Sequence, residues 1–128
     1  MHKIVINSCY GGFLLSIEAV TWLQENCKDQ HLRKYIEAYT KKHIIYEPNK
    51  APTVHRDLLC TDVSNWFDRK HHHKDLVAVV EALGDKASGS YSHLTVVNIT
   101  SNQYRIEEYD GAERVITPED TEDWIVID

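Results

Sequence analysis

The segment from Lys3 to Ser16 constrains the fold of this 128-residue chain more than any other. Its apolar run Ile4–Ile6 gives way to a loop with two adjacent glycines, Gly11 and Gly12, and Ser16 then precedes the apolar start of a helix. A strand that ends in a glycine-containing loop and leads into a helix N-terminus is a recurrent anion-binding corner, because loop amides and the helix dipole favour negative charge there. The segment therefore predicts an N-terminal β-α unit with a ligand site at the strand end.

Apolar periodicity predicts the remaining elements. Helices are expected at residues 17–27, 31–41 and 75–87, and Ser16 is the expected cap of the first. Strands are expected at residues 3–7, 43–46, 94–99, 103–109 and 113–116, with Asp110 and Gly111 forming a hairpin turn. Residues 54–74 show no clear period and are assigned no element.

The order of these elements predicts a mixed α/β (α+β) domain of two or three layers. The N-terminal β-α unit is expected to make a parallel crossover, and the C-terminal strands an antiparallel β-meander. The almost continuous apolar run at residues 94–99 is typical of a strand inside a sheet. Residues 1–117 are predicted to form one domain, and residues 118–128 an acidic tail, with docking as an edge strand left open.

The charge distribution restricts the partners. The net charge is −6, and residues 107–128 carry nine acidic side chains against one arginine, which leaves residues 1–106 at +2. This distribution disfavours direct binding to nucleic acid. The tail is interpreted as a solvated surface or, alternatively, as a surface that docks a basic partner.

The chain also lacks the features of an exported or membrane protein. No apolar run approaches the ~20 residues that span a bilayer, and the N-terminus lacks the long apolar region of a signal peptide. Three cysteines without C-x-x-C spacing favour reduced thiols. A cytoplasmic location without membrane association is therefore expected.

The candidate ligand site lies mainly in the loop after the first strand. Polar side chains there can donate and accept hydrogen bonds, glycines let a ligand approach the backbone, and aromatic rings can stack on a base. The alternative is a tight glycine turn between core elements, with its aromatic rings buried. The predicted ligand-binding residues are Asn7, Ser8, Cys9, Tyr10, Gly11, Gly12, Phe13 and Ser16, together with Arg56 and Arg69 as phosphate partners.

Catalytic and metal-binding patterns are incomplete. Cys9 is a nucleophile only if a base lies near it, and a buried thiol is the commoner case. Three adjacent histidines at residues 71–73 cannot converge on one ion from regular structure, so they are interpreted as a polar entry to the following helix. Glu107 and Glu108 point to opposite faces of a strand and cannot form a facing acid/base pair. No catalytic residue, metal or cofactor is assigned.

Three blocks of the sequence resemble a family of small uncharacterised proteins of tailed bacteriophages and prophages. They are Lys3-Ile-Val-Ile-Asn-Ser-Cys-Tyr-Gly-Gly-Phe13 with Ser16, Val79-Val-Glu-Ala-Leu-Gly-Asp-Lys-Ala-Ser-Gly89, and Ile106-Glu-Glu-Tyr-Asp-Gly111. The blocks occur in the expected order and cover about half of the chain, whereas residues 31–73 depart from the family pattern. The resemblance implies a protein that acts in the cytoplasm of an infected bacterium, and it implies no mechanism.

These observations favour a phage accessory protein that binds a small nucleotide-like ligand and sequesters a host immune signal. A small hydrolase or transferase acting on a nucleotide or a glycosidic bond is the first alternative, although an enzyme is less favoured because no catalytic signature is complete. An acidic inhibitor of a host protein is the second alternative. A homodimer is left open, because Trp124 and Ile125 can form an exposed apolar end.

Overall fold

A computed structural model describes residues 1–118 as a mixed α+β domain, which confirms the predicted fold class. Its first strand, β1 (His2–Asn7), pairs antiparallel with β4 (Leu94–Ile99), so that Val5 lies opposite Val96. The predicted parallel crossover is therefore wrong. The predicted interior position of β4 is also wrong, because β1 is its one strand neighbour within residues 1–118. Its apolar character arises instead from packing against helices. The predicted acidic tail, residues 118–128, lies outside the described residues except for Pro118.

The first two helices form within one residue of the bounds that periodicity predicts. Helix α1 (Ile17–Asn26) begins after Ser16, whose hydroxyl accepts a hydrogen bond from the Ala19 amide at 3.0 Å. Helix α2 (Gln30–Lys42) begins after Asp29, whose carboxylate accepts from the amides of His31 and Leu32. These side-chain caps satisfy amides that have no partner inside a helix.

A third helix lies in the segment to which the sequence assigned no element. Helix α3 (Arg56–Trp66) follows the two short paired strands β2 (Ile44–Ile45) and β3 (Thr53–Val54). Its buried side chains are mixed in character, because the polar Ser64 lies inside the domain and donates a hydrogen bond to the Cys60 carbonyl. A polar residue on the buried stripe weakens the helical pattern that a sequence can show.

The histidine run leads into helix α4 (Lys74–Leu83), as predicted. The His73 ring accepts a hydrogen bond from the Asp75 amide through Nδ1 and contacts Asp29 through Nε2 at 2.8 Å. Asp75 in turn accepts from the amides of Lys28 and Asp29, so the starts of α2 and α4 are tied together. Helix α4 ends earlier than predicted, at Gly84, and a 3-10 turn (Gly84–Ala87) completes the segment.

The C-terminal strands β5 (Arg105–Tyr109) and β6 (Ala112–Ile116) form an antiparallel hairpin around Asp110 and Gly111. The predicted turn and the antiparallel pairing are confirmed. In this register Glu107 lies opposite Arg114, and Glu108 lies opposite Glu113. Because directly opposite residues share a face of the ladder, Glu108 and Glu113 form a facing pair of carboxyl groups.

Helices and sheet enclose one hydrophobic core. Helix α4 contacts both β1 and β4, and α1 packs against α2, α3 and α4. Leu15, Leu23, Val63 and Leu76 are fully buried in this core. All three cysteines are unpaired, and burial raises the pKa of Cys60 to about 11. No helix among the described residues has the length and apolarity needed to cross a membrane.

The glycines after β1 pack against the hairpin turn. A Cβ atom on Gly111 would overlap the Gly12 amide nitrogen and lie 2.7 Å from the Gly11 nitrogen, while Gly111 itself has φ +88°. The Gly11 amide donates to the Asp110 carbonyl at 3.1 Å. Glycine is required here because two backbone segments approach more closely than side chains permit.

Replacement of Gly111 by alanine should test this close approach. Gly111→Ala introduces both a strained φ and a steric overlap, and it should lower the free energy of unfolding by about 2–4 kcal/mol in urea titrations. Gly84→Ala is the matched control, because Gly84 has φ +58° but no atom within 4 Å of the added Cβ. Equal losses in the two variants would show that the overlap contributes nothing.

The Asp29–His73 contact should make stability depend on pH in the acid range. The hydrogen bond from His73, with further bonds from the α2 amides, lowers the pKa of Asp29 in the folded state. A lowered folded pKa gives stability that is present above the unfolded value of about 4 and is lost as pH falls through the folded value. Asp29→Asn keeps a capping side chain and removes the charge, so its stability should fall less steeply below pH 4 in acid titrations followed by circular dichroism. Parallel curves for the two proteins would contradict this assignment.

Candidate functional site

The most distinctive polar cluster of the domain lies along the outer edge of β1. A two-stranded sheet leaves one edge of each strand unpaired, and its amides need other partners. The Val5 amide donates to the His71 carbonyl and the Asn7 amide donates to Glu113 Oε1, each at 2.9 Å. The histidine segment and strand β6 are therefore held side by side along this edge.

His71 and Glu113 meet in the interior at this edge. Nε2 of His71 lies 3.2 Å from Oε2 of Glu113, and both side chains are 9% exposed. Phe13 packs against the imidazole edge-on, with ring centroids 5.4 Å apart. With Oε1 bonded to Asn7 and Oε2 to His71, the Glu113 carboxylate has a partner on each oxygen.

The second nitrogen of the His71 ring has no such partner. Within the described residues, Nδ1 of His71 is buried and has no hydrogen-bond partner. Buried ring nitrogens are normally satisfied by protein or ordered water, so each exception calls for an explanation. A hydroxyl or amide group of a ligand that reaches Nδ1 would supply the missing hydrogen bond.

Two adjoining cavities meet at this pair. Their volumes are about 570 Å³ and 270 Å³, and both are lined by Asp68, His71, Glu108 and Glu113. We call the combined space the His71 cleft. Its larger part is also lined by Arg69, His72, Tyr104 and Arg105, and its smaller part by Phe13, Ser64, Asn65 and Phe67.

The charges of the cleft are mixed. Glu108 is exposed, faces Glu113 across the hairpin, and has no hydrogen-bond or ion-pair partner among residues 1–118. Arg69 lies in the turn after α3 with φ +62°, a left-handed conformation, and Arg105 begins β5. The cleft therefore offers cationic groups for an anion and carboxylates for amino or hydroxyl groups.

Tyr104 adds an aromatic wall beside His72. Its hydroxyl lies 2.5 Å from Nδ1 of His72, and the two ring centroids are 5.6 Å apart. Burial raises the pKa of Tyr104, so the side chain remains a neutral hydroxyl at ordinary pH.

Asn7, which the sequence predicted as a ligand residue, is fully buried and holds the fold together. Its side-chain amide donates to the carbonyls of Cys9 and Gly111 at 2.8 and 2.7 Å, and its carbonyl accepts from the His93 amide at 2.8 Å. These bonds use both donor hydrogens of the side chain. Asn7 is thus placed to join three chain segments.

The loop amides after Asn7 are also used inside the protein. The Ser8 amide donates to the His93 carbonyl and the Gly11 amide to the Asp110 carbonyl. The Cys9 amide lies 3.5 Å from Asn7 Oδ1, a long contact. The amides of Ser8 and Gly11 are therefore bonded to neighbouring loops, and the ligand-binding role of this loop stays a prediction.

The other predicted ligand-binding residues lie in different parts of the structure. Phe13 and Arg69 line the His71 cleft. Tyr10 is 70% exposed and contacts the Tyr109 ring, while the Gly12 carbonyl accepts from Ser92. The Cys9 thiol lies 3.1 Å from the Tyr91 carbonyl, and its contacts within residues 1–118 are with oxygen atoms rather than with an imidazole.

Gly11, Ser16 and Arg56 line a separate cavity of about 600 Å³ at the start of α1. The Ser16 hydroxyl donates to the Lys86 carbonyl while it caps the helix, so its hydrogen-bonding capacity is largely used. Two carboxylates, Glu18 and Asp57, also line this cavity, and its lining contains one arginine where that of the His71 cleft contains two. This helix start therefore has less support as a ligand site than the His71 cleft.

Ser8 belongs to a hydrogen-bonded chain at the surface. Its hydroxyl lies 3.1 Å from Nδ1 of His93, and Nε2 of His93 lies 3.4 Å from Asp85. The order serine, histidine, aspartate is that of the catalytic triad of a hydrolase. The side chains of His93 and Asp85, however, are 57% and 95% exposed. Solvent at this position weakens the electrostatic coupling on which such a triad depends.

The sequence interpretation missed His71, Glu113, Glu108, Tyr104 and Arg105 as members of one site. One signal was present, because a two-residue turn at Asp110 and Gly111 fixes Glu108 opposite Glu113. The approach of His71 to this pair depends on the long-range bond between Val5 and His71, for which the sequence has no local signal.

No group of three or more His, Cys, Asp or Glu side chains within residues 1–118 is arranged to hold a metal ion. A scan against protein-family models and searches of curated proteins and of solved structures found no match. The predicted relation to bacteriophage proteins therefore stays a prediction, and the functional argument rests on the cleft.

Replacement of Asn7 should distinguish its structural role from ligand binding. Asn7→Ala leaves the Gly111 carbonyl and the His93 amide without their partners, and we expect a loss of about 2–4 kcal/mol in the free energy of unfolding. Ser8→Ala is the neighbouring control and should cost less than about 1 kcal/mol, because Ser8 is exposed. A stable Asn7→Ala protein would refute the structural assignment.

Proposed function

We propose that the protein binds a small nucleotide-like ligand in the His71 cleft. The single observation that carries this proposal is His71, which lines both adjoining cavities and whose buried Nδ1 has no hydrogen-bond partner within residues 1–118. A buried polar atom without a partner is costly, and a ligand in the cleft that bonds to it would remove that cost. The larger cavity, at about 570 Å³, lies within the range of ordinary small-molecule sites.

The chemistry of the walls favours a ligand with both an anionic and a hydrogen-bonding part. Arg69 and Arg105 can bind phosphate oxygens, and Tyr104 can pack against a base. Asp68 and Glu108 can accept hydrogen bonds from a base amino group or from ribose hydroxyls. A nucleotide combines these three kinds of group in one molecule.

The size and charge of the protein favour a small ligand over a long nucleic acid. The net charge is −6, which disfavours association with an extended polyphosphate. A mononucleotide or dinucleotide needs only the local positive charge of the two cleft arginines. Together with the resemblance to phage proteins, this supports an accessory role in an infected bacterium, in which the protein removes a host signalling nucleotide.

A nucleotide panel should test the proposal. Purified protein is mixed with mononucleotides, linear dinucleotides and cyclic dinucleotides, and thermal unfolding is followed. A ligand at 100 times its Kd should add about 2.7 kcal/mol of apparent stability, which raises the Tm by roughly 10 °C for a domain of this size. The absence of a shift with every member of the panel would count decisively against nucleotide binding.

Arginine variants should locate the site. Arg69→Gln and Arg105→Gln should each weaken binding about tenfold or more, because each removes a charge-assisted hydrogen bond. Arg56→Gln is the matched control, since Arg56 is equally exposed but lines the cavity at the start of α1. A loss of affinity in Arg56→Gln alone would place the ligand at the helix start and not in the His71 cleft.

A further inference from the structure

The cleft also contains groups suited to chemistry on a bound ligand. We propose that it cleaves the 3′,5′-phosphodiester bond of a short ribonucleotide by transfer to the adjacent 2′-hydroxyl, with Glu108 as general base and His72 as general acid. This inference rests on the proposed function, because the same arginines must first bind the phosphate.

Glu108 is placed to accept a proton from a ligand in the cleft. A like-charged residue directly opposite on the ladder is unfavourable, and Glu113 lies opposite Glu108. Glu113 is held by His71 and by the Asn7 amide, whereas Glu108 has no partner among residues 1–118 and lines both parts of the cleft. A free carboxylate kept at an unfavourable position beside a cavity indicates a functional group.

His72 is the matching proton donor. It is exposed, lines the larger part of the cleft, and contacts the Tyr104 hydroxyl through Nδ1. That contact orients the ring and leaves Nε2 for a ligand. A protonated imidazole can give the proton on Nε2 to a leaving oxygen.

The residues favour phosphoryl transfer over glycosidic hydrolysis. A retaining glycosidase needs two free carboxyl groups about 5 Å apart, but both oxygens of Glu113 are already bonded. Two arginines line the cleft beside Glu108, and guanidinium groups stabilise the charge that develops on phosphoryl oxygens. His71 lines the same space, and its Nδ1 has no hydrogen-bond partner within residues 1–118.

The step balances without another reactant. Glu108 takes the proton of the 2′-hydroxyl, and the 2′-oxygen forms a bond to phosphorus. The bond from phosphorus to the 5′-oxygen breaks, and His72 gives its proton to that oxygen. The products are a 2′,3′-cyclic phosphate and a free 5′-hydroxyl, and proton exchange with water restores both side chains.

The test incubates the full chain with the diribonucleotides UpA and ApA and with cyclic di-AMP, and it follows the products by liquid chromatography and mass spectrometry. A 2′,3′-cyclic phosphate product is expected from at least one ribonucleotide, and it should form equally in the presence of EDTA. The deoxy analogue of the same dinucleotide should bind and stay intact, because it lacks the 2′-hydroxyl. Cleavage of the deoxy analogue, or loss of cleavage in EDTA, would overturn the proposal.

Variants assign the two roles. Glu108→Gln and His72→Gln should each lower kcat by about 10²-fold or more and leave the Kd for the deoxy analogue within about threefold. Glu107→Gln is the matched control, because it changes the same charge on the opposite face of β5, where Glu107 pairs with Arg114. Unchanged turnover in both cleft variants would overturn the assignment. Binding without any cleavage would overturn this inference alone, whereas failure of both binding and cleavage would also remove the proposed function.

Discussion

The unpaired edge of β1 is the constraint on which the rest of the structure depends. Because β1 has a strand neighbour on one side only within residues 1–118, the amides of Val5 and Asn7 must find acceptors elsewhere. They find the His71 carbonyl and the Glu113 carboxylate, from segments 66 and 106 residues away. The need to satisfy two backbone amides thus brings the histidine segment and the hairpin into contact.

Asn7 strengthens this junction through its side chain. Its amide reaches the hairpin turn at Gly111 and its carbonyl reaches the His93 amide, so one buried residue joins β1, the hairpin and the start of β4. The glycines that follow it let the loop backbone lie against the turn. The features that suggested a ligand loop in the sequence therefore serve largely to bring protein segments together.

The same junction also determines which polar groups of the cleft are free to bind a ligand. Glu113 is bonded to Asn7 and His71, whereas Glu108, opposite it in the ladder, has no partner among residues 1–118. Phe13 and Glu113 contact the His71 ring, whose second nitrogen is unpaired within the same residues. Cationic side chains from the α3–α4 turn and from β5 complete a space with mixed charge. The cleft is thus a consequence of how the edge of β1 is covered.

The sequence by itself determined much of the local structure. Periodicity specifies α1, α2 and α4, with Ser16 as the predicted cap of α1, and the Asp110-Gly111 turn specifies the hairpin and so the facing of Glu108 and Glu113. The sequence did not reveal α3, because Ser64 interrupts its buried stripe. It predicted Asn7 as a ligand-binding residue, whereas the Asn7 side chain is buried and bonds to other segments of the protein. Only the tertiary structure decided that β1 pairs antiparallel with β4 and that His71 meets Glu113. Those contacts are between residues far apart in the chain, and they follow from burial and backbone hydrogen bonding rather than from any local pattern.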